Sequence, residues 1–261
     1  MNDESKLAGI RTRIDEIDTE LLDLISQRAA LALETASIKK GSGEGISLYR
    51  PEREAQVLRR LAEINPGPLH RETVTRLFRE IISACLALEQ PLNIAYLGPE
   101  GTFTQTAVFK HFGGFVMTTA LPAIDHVFRE VEAGTCQYGV VPIENSIEGV
   151  INHTHDLLIN SSLKICGEVE LRIHQHLMSR AENLASVRRI YSHQQSLAQC
   201  RIWLDNNMAG IERLPTSSNA EAALLAVSES NAAAIAGETA ASCYELTILK
   251  RNIEDESDNT T

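Results

Sequence analysis

The sequence shows no Cys-X-X-Cys motif, no pattern typical of a leader segment near its start and no long apolar run. Its five cysteines are widely spread, odd in number and form no Cys-X-X-Cys pair, which indicates reduced thiols rather than a disulfide framework or a zinc site. The acidic N-terminus is not followed by an apolar stretch, as a secretory signal peptide would require. No run reaches the roughly 18–20 apolar residues that a membrane span needs. We therefore expect a cytoplasmic protein without a membrane segment.

Positive charge is scarce as well. The 35 Asp and Glu residues outnumber the 24 Lys and Arg residues, which leaves a net charge of −11. Such a surface repels phosphate backbones and anionic lipid, so we expect neither nucleic acid nor membrane as a main partner. The chain has 261 residues and 43% hydrophobic content, which is enough for two domains with buried cores.

A long stretch near the N-terminus contains no helix-breaking residue. Between Leu7 and Lys40 there is no proline, and no glycine after Gly9. Apolar residues recur there every three, four or seven positions, which predicts one amphipathic helix of more than 30 residues. A helix of that length needs a partner along it, so we expect a homodimer formed through this helix. The Gly-Ser-Gly-Glu-Gly run at 41–45 is expected to end it.

Two shorter helices follow. Pro51 suits a helix start, and the pattern predicts helices at 51–64 and at about 71–89. Three helices of unequal length then make an all-α first domain, residues 1–91.

The pattern changes at Pro91, where short apolar strands begin to alternate with helices. This alternation predicts an α/β layered second domain, residues 92–261. Strands are predicted at 93–97, 140–143, 164–169 and 189–191, and helices at 123–133, 196–206 and 220–228.

The long helix carries basic residues where an apolar bundle would have none. Arg28 and Lys39 are 11 positions apart, which places them within roughly 20° of each other around the axis. Arg11 lies roughly 100° away from Arg28, so it could share their pocket only from a partner's helix. A solvated basic face explains any single arginine. However, Arg11 directly follows Ile10 in the apolar pattern, and Arg53-Glu54 adds a charge pair at the next helix start. Together these favour a bundle interior that binds a small dicarboxylate.

Residues 5–90 resemble the all-helical chorismate mutase domain, an intertwined three-helix dimer. The matching segments are IRTRIDEID, ISQRAAL, IKK, YRPEREAQVL and VTRLFREIISACLALEQ. The resemblance implies that Arg28 and the other protomer's Arg11 bind the two carboxylates of chorismate. It also implies that Lys39 donates to the ether oxygen.

The same resemblance assigns roles on the second and third helices. It implies that Arg53 and Glu54 position the ring and its hydroxyl, and that Cys85 lies at the pocket where many relatives have serine. Glu89 falls where relatives carry Gln or Glu, facing the ether oxygen. Glutamate donates a hydrogen bond only when it is protonated, so a mutase that uses Glu89 should weaken as the pH rises.

Polar residues follow several strands of the α/β part. GPEGTFT (98–104) could place amides and hydroxyls against an anion, although a plain tight turn explains it too. PIENS (142–146) and YSHQQ (191–195) add polar side chains at two more strand ends, and His193 there suits a helix cap as well as a base. We find no Ser-His-Asp order and no metal-ligand spacing. Polar strand ends fit a cleft for an anionic small molecule.

From about Asn93 to the last residue the chain resembles prephenate dehydratase. That family has two α/β lobes with the substrate between them, similar to type II periplasmic binding proteins. The resemblance implies that Glu144, Asn145 and Gln195 are polar active-site residues, and that Thr102 and Ser192 lie beside the anion.

NIEDESDNTT (252–261) matches the approach to the Thr-Arg-Phe motif of that family, which makes Thr261 the proton donor. The Arg and Phe of the motif and a regulatory ACT domain would follow residue 261, so we expect a C-terminally truncated chain.

Both resemblances together imply a bifunctional enzyme of L-phenylalanine biosynthesis. It would convert chorismate to prephenate by a pericyclic rearrangement and prephenate to phenylpyruvate by decarboxylation and dehydration, with no metal and no organic cofactor. Two alternatives stay open: an active mutase with an inactive dehydratase domain, and a two-lobed module that binds prephenate or an aromatic acid without turnover.

Overall fold

The computed structural model describes residues 3–41, 49–147 and 149–261, which divide into two compact units. The first unit consists of Met1–Leu92 with Phe112–Val116, and the second of Asn93–His111 with Met117–Thr261. Among the described residues, no helix combines the length and the apolar character needed to cross a membrane.

Three helices form the first unit: α1 (Asp3–Gly41), α2 (Pro51–Ile64) and α3 (Arg71–Glu89). All three predicted helices are confirmed. At 1.5 Å per residue, the 39 residues of α1 give it a length of roughly 60 Å. Proline starts α2 because the first helical N–H needs no intrahelical partner. Gly41 is the last described residue of α1, and the rest of the predicted break at 41–45 lies outside the described residues.

Helix α3 packs against both α1 and α2 and contributes three buried residues to the small core of this unit: Ile82, Ser83 and Cys85. Along α1, in contrast, the described chain leaves a series of large aliphatic side chains exposed. They include Ile10, Ile14, Ile17, Leu21, Leu24, Leu31 and Ile38, each at least 41% exposed.

The second unit begins with a small parallel sheet. Its elements in chain order are β1 (Asn93–Leu97), α4 (Phe103–Phe112), β2 (Met117–Leu121), α5 (Ile124–Glu132) and β3 (Tyr138–Val140). The strand order is β2-β1-β3, with β1 parallel to both neighbours. A two-stranded hairpin, β4 (Glu144–Asn145) and β5 (Gly149–Val150), follows and leads into α6 (Asn152–Asn160).

A five-stranded mixed sheet forms the rest of this unit. Its strands are β6 (His176–Ser179), β7 (Arg189–His193), β8 (Glu212–Thr216), β9 (Ala232–Ala236) and β10 (Thr247–Lys250), in the order β10-β6-β9-β7-β8. Its helices are α7 (Gln194–Gln199), α8 (Arg201–Asn207), α9 (Asn219–Ser228) and α10 (Glu238–Cys243), and a 3₁₀ turn spans Leu184–Ser186.

Strand β9 lies at the centre of this sheet and is buried along its whole length. Four of its five residues are alanine, and the facing side of α9 contributes three more buried alanines to the same cluster. Small side chains on both surfaces let the helix approach the sheet closely, and Met178, Tyr191 and Leu246 fill the rest of this cluster.

The α/β architecture is confirmed, and three predicted elements differ in detail. Residues 164–169 form no ladder with a described strand, and Ile165 is 71% exposed, so the apolar run there lacks a sheet neighbour. The strand predicted at 140–143 ends at Val140, because Pro142 has no N–H to donate to a ladder. The helix predicted at 196–206 is interrupted at Cys200, whose backbone leaves the helical region between α7 and α8.

Candidate active sites

Glu54 in the first turn of α2 is the centre of a charged cluster in the helical unit. Its side chain is only 10% exposed, and its Oε1 lies 3.6 Å from Nε of Arg79 on α3. Tyr49, just before α2, hydrogen-bonds the same carboxylate, and Arg28 on α1 adds a second positive charge. Burial raises the pKa of Glu54, while Arg79, Tyr49 and Arg28 oppose that rise. Three elements thus converge on one buried carboxylate.

The structure therefore brings together two of the predicted residues, Arg28 and Glu54. It adds two that the sequence analysis missed, Tyr49 and Arg79. Arg79 precedes the buried Ile82 and Ser83 by three and four residues, so it lies on the inward face of α3. A charged residue one turn from buried positions of α3 was the signal that could have identified it.

The other predicted residues of this unit differ in how far they are exposed. Arg11 and Arg53 are exposed, Lys39 and Glu89 are partly buried, and Cys85 is buried. Arg11 and Arg28 are 17 positions apart on one helix, which is roughly 25 Å along the axis. One chain therefore cannot bring these two arginines to a single small ligand.

A second cluster surrounds Thr261 in the α/β unit. Its hydroxyl donates to the main-chain carbonyl of Glu144 at 3.0 Å and accepts from Nδ2 of Asn145 at 3.2 Å. The main chain of Thr261 pairs with Leu171 in both directions, at 2.9 and 2.7 Å. The two main-chain hydrogen bonds to Leu171 fix the position of Thr261, and the two side-chain hydrogen bonds fix its rotamer. The structure brings Asn145 and Thr261 together, and Glu144 takes part through its main-chain carbonyl while its side chain is exposed.

Asn259 completes this cluster and was not predicted. It is 3% exposed, and its Oδ1 accepts from both Nδ2 of Asn145 and the hydroxyl of Ser146, each at 3.2 Å. Asn145 in turn accepts the N–H of Ile147 at 3.0 Å. These bonds determine that the Asn145 amide presents its N–H₂ side to Thr261. The only sequence signal for Asn259 was that it lies two residues before Thr261.

Ser192 at the end of β7 belongs to a different, buried network. Its hydroxyl lies 2.8 Å from the carbonyl oxygen of Ile235 and 2.9 Å from Oδ1 of Asn219. Asn219 also donates to Ser196, which accepts from Gln175 as well. This network anchors the first turn of α7, the helix on which the partly buried Gln195 lies.

Two further residues act at helix starts. The ring of His193 accepts the N–H of Gln195 at 3.4 Å, so the capping alternative for this histidine is confirmed. The Thr102 hydroxyl bonds the carbonyl of Leu97 at 3.2 Å and lies 3.5 Å from the N–H of Gln105, which closes the turn before α4.

Two family models match the chain, one for each unit. The model described as chorismate mutase type II matches residues 10–90, and the prephenate dehydratase model matches residues 94–261. The latter match covers more than half of the chain.

Relatives with similar sequences match both parts at once. The bifunctional chorismate mutase/prephenate dehydratase of Pseudomonas aeruginosa is 56% identical, over 100% of this chain and 73% of its own length. The protein of the same name from Aquifex aeolicus is 41% identical, over 98% of this chain and 71% of its own. Among solved structures, prephenate dehydratase from Arthrobacter aurescens in complex with L-Phe is similar, with a TM-score of 0.59 and 29% identity. That similarity covers 65% of this chain and 58% of the solved one. With both family models in order along one chain, the chain belongs to the family of bifunctional chorismate mutase/prephenate dehydratases.

Proposed function

We propose that this chain catalyses two consecutive steps of L-phenylalanine biosynthesis. The helical domain, residues 1–91, converts chorismate to prephenate, and the α/β domain, residues 92–261, converts prephenate to phenylpyruvate. The observation that carries the proposal is the hydrogen-bonded cluster of Glu144, Asn145 and Thr261, within the part that matches prephenate dehydratase. As a biosynthetic enzyme with five free cysteines, it works in the cytoplasm.

The mutase step is pericyclic and needs no covalent intermediate. The protein holds the folded conformer of chorismate and stabilises the charge that develops on the ether oxygen. Arg28 and the partner's Arg11 bind the two carboxylates, because a guanidinium matches a carboxylate bidentately. Lys39 and protonated Glu89 donate to the ether oxygen.

Three further residues complete this site. Glu54 accepts a hydrogen bond from the ring hydroxyl, Arg53 helps to position the ring, and Cys85 lines the pocket. The burial of Glu54 and Cys85 supports these assignments.

A homodimer through α1 supplies the second arginine. Support comes from the exposed aliphatic side chains along α1 and from the separation of roughly 25 Å between Arg11 and Arg28. Exposing these aliphatic side chains to water is unfavourable, whereas a second copy of α1 would bury them.

Subunit mixing tests the dimer. R11A and R28A are each expected to be inactive, and a 1:1 mixture refolded together should recover about a quarter of the wild-type mutase activity, because each mixed dimer holds one intact site. A mixture that stays inactive although mixed dimers form would contradict a site shared between protomers.

The dehydratase step expels carbon dioxide and the ring hydroxyl. The electrons of the breaking carbon–carboxylate bond enter the ring, which becomes aromatic as the carbon–oxygen bond breaks, and the hydroxide takes a proton to leave as water. Thr261 delivers that proton, and the N–H of Asn145 at 3.2 Å stabilises the negative charge that then develops on its oxygen. In the free enzyme the Thr261 proton points to the Glu144 carbonyl, so a rotation about the Cβ–Oγ1 bond redirects it to substrate.

Other polar residues bind the substrate. The Gln195 amide and the exposed Glu144 side chain contact the ring hydroxyl region, and Thr102 lies on the carboxylate side. Ser192 is fully buried, so it acts through the hydrogen bonds that anchor α7 rather than by direct contact. The position of Gln195 and Ser192 at one strand-to-helix junction supports this grouping.

One experiment tests both steps. The purified chain receives chorismate, and prephenate and phenylpyruvate are followed separately over time. Phenylpyruvate formation supports the full proposal. Prephenate accumulation without phenylpyruvate would favour the alternative of an active mutase with a dehydratase domain that only binds. Calorimetric titration with prephenate would then show saturable binding without turnover.

A further inference from the structure

The ionic environment of Glu54 comes from three separate elements. Arg79 reaches it from α3, Arg28 from α1, and the Tyr49 hydroxyl from the segment before α2. Because Glu54 is nine-tenths buried, its carboxylate has little access to water and depends on these three groups.

The three groups are not equivalent once substrate is considered. Arg28 is assigned to a carboxylate of chorismate, so its charge is divided between the substrate and Glu54. Tyr49 carries no charge at neutral pH. Arg79 is the strongest of the three influences that oppose the effect of burial, and no role has been assigned to it.

The geometry of Arg79 leaves one donor open. Its Nε is buried and has no hydrogen-bond partner within the described part of the chain, although Oε1 of Glu54 lies only 3.6 Å away. A movement of roughly half an ångström would complete a charge-assisted hydrogen bond. The Arg79 side chain is 26% exposed, so most of its surface is shielded from solvent.

We propose that Arg79 is a positioning residue of the mutase site, which fixes the Glu54 carboxylate as the acceptor for the substrate hydroxyl. This inference rests on the proposed mutase function. It predicts that Arg79 acts through Glu54 and not through direct contact with chorismate.

The sign of the pH effect follows from the charge. If Glu54 must be ionised, kcat/KM falls as the pH drops through the pKa of Glu54. Arg79 lowers that pKa, so R79Q should move the acidic limb of the profile to higher pH. The loss relative to wild type is then greatest on the acidic limb and shrinks as the pH rises.

The experiment measures mutase kcat and KM from pH 5 to 9 for wild type, R79Q, R79K and R76Q in the full chain. R79K keeps the charge and should retain the wild-type acidic limb. Arg76 is an exposed arginine one turn earlier on α3, so R76Q is the matched control and should leave the profile unchanged. The pH profile of the double variant R79Q/E54Q should match that of E54Q alone, since the titrating carboxyl is gone in both.

The outcomes distinguish a failure of the proposed mutase function from a failure of the role proposed for Arg79. An inactive but folded wild type would refute the proposed function itself. An active wild type whose acidic limb coincides with that of R79Q would overturn the role of Arg79, as would an equal shift in R76Q. If R79Q does not fold, the R79K variant provides the test. An acidic limb that moves to higher pH in R79K, although the positive charge is kept, would overturn the proposal.

Discussion

Replacing Thr261 with valine is the sharpest test of the dehydratase site. Valine keeps the β-branched shape and the main-chain pairing with Leu171, but removes the hydroxyl. Two hydrogen bonds are lost, one from Asn145 at 3.2 Å and one to the Glu144 carbonyl at 3.0 Å. At about 0.5–1.5 kcal/mol each, their loss should lower the free energy of unfolding by roughly 1–3 kcal/mol.

The chemical effect should be larger. Loss of a general acid typically costs about 10²–10⁴ in rate, which corresponds to roughly 3–5 kcal/mol at the transition state. Because the proton is delivered only as the hydroxyl leaves, kcat and kcat/KM should fall together. We therefore expect T261V to be stable enough to fold and to lose nearly all turnover of prephenate.

The assay uses controls within the same chain. Conversion of chorismate to prephenate takes place in the other unit and should be unchanged, which reports that the protein is intact. Trp203, the single tryptophan, lies on α8 and reports unfolding of the α/β unit by fluorescence. T260V is the matched variant, because Thr260 bonds Ser146 through its main chain, and it should retain turnover. Prephenate turnover by T261V within about threefold of wild type would refute the proton-donor role.

Three other predictions follow from particular residues. E89Q should flatten the alkaline decline of mutase activity, since glutamine donates a hydrogen bond at every pH; a decline that persists in pH profiles of kcat would remove Glu89 from the mechanism. If the proposed dimer forms through α1, L21E should yield monomers and abolish mutase activity, while E20A on the same helix should do neither, as light scattering and assay would reveal; a dimeric L21E contradicts the α1 interface. Burial, helped by Arg251, lowers the pKa of His176 below 6.5, and its Nδ1 accepts the N–H of Asn252 at 3.1 Å. At low pH the unfolded chain therefore binds a proton at His176 more readily than the folded chain does. The free energy of unfolding should fall as the pH drops below about 6.5. H176N should lose less stability over that range when unfolding is followed by Trp203 fluorescence, and an equal loss would exclude His176 as the cause.

The sequence by itself determined the local elements and the residue types available at each site. The helices α2 and α3 were predicted with their observed bounds, because helix periodicity and the proline and glycine signals at helix ends are local properties. One failure was a local pattern without a tertiary partner: the apolar run at 164–169 has the composition of a strand, but a strand needs a neighbour to pair with.

Only the tertiary structure decided which polar groups meet. Asn145 and Thr261 are 116 positions apart, yet they share a hydrogen bond, and Asn259 orients the amide that joins them. Arg79 has no sequence relation to Glu54 beyond lying on the next helix, and the packing of α2 on α3 places its guanidinium beside that carboxylate. Periodicity specifies the face on which a side chain lies, whereas the partner that it meets depends on how distant segments pack.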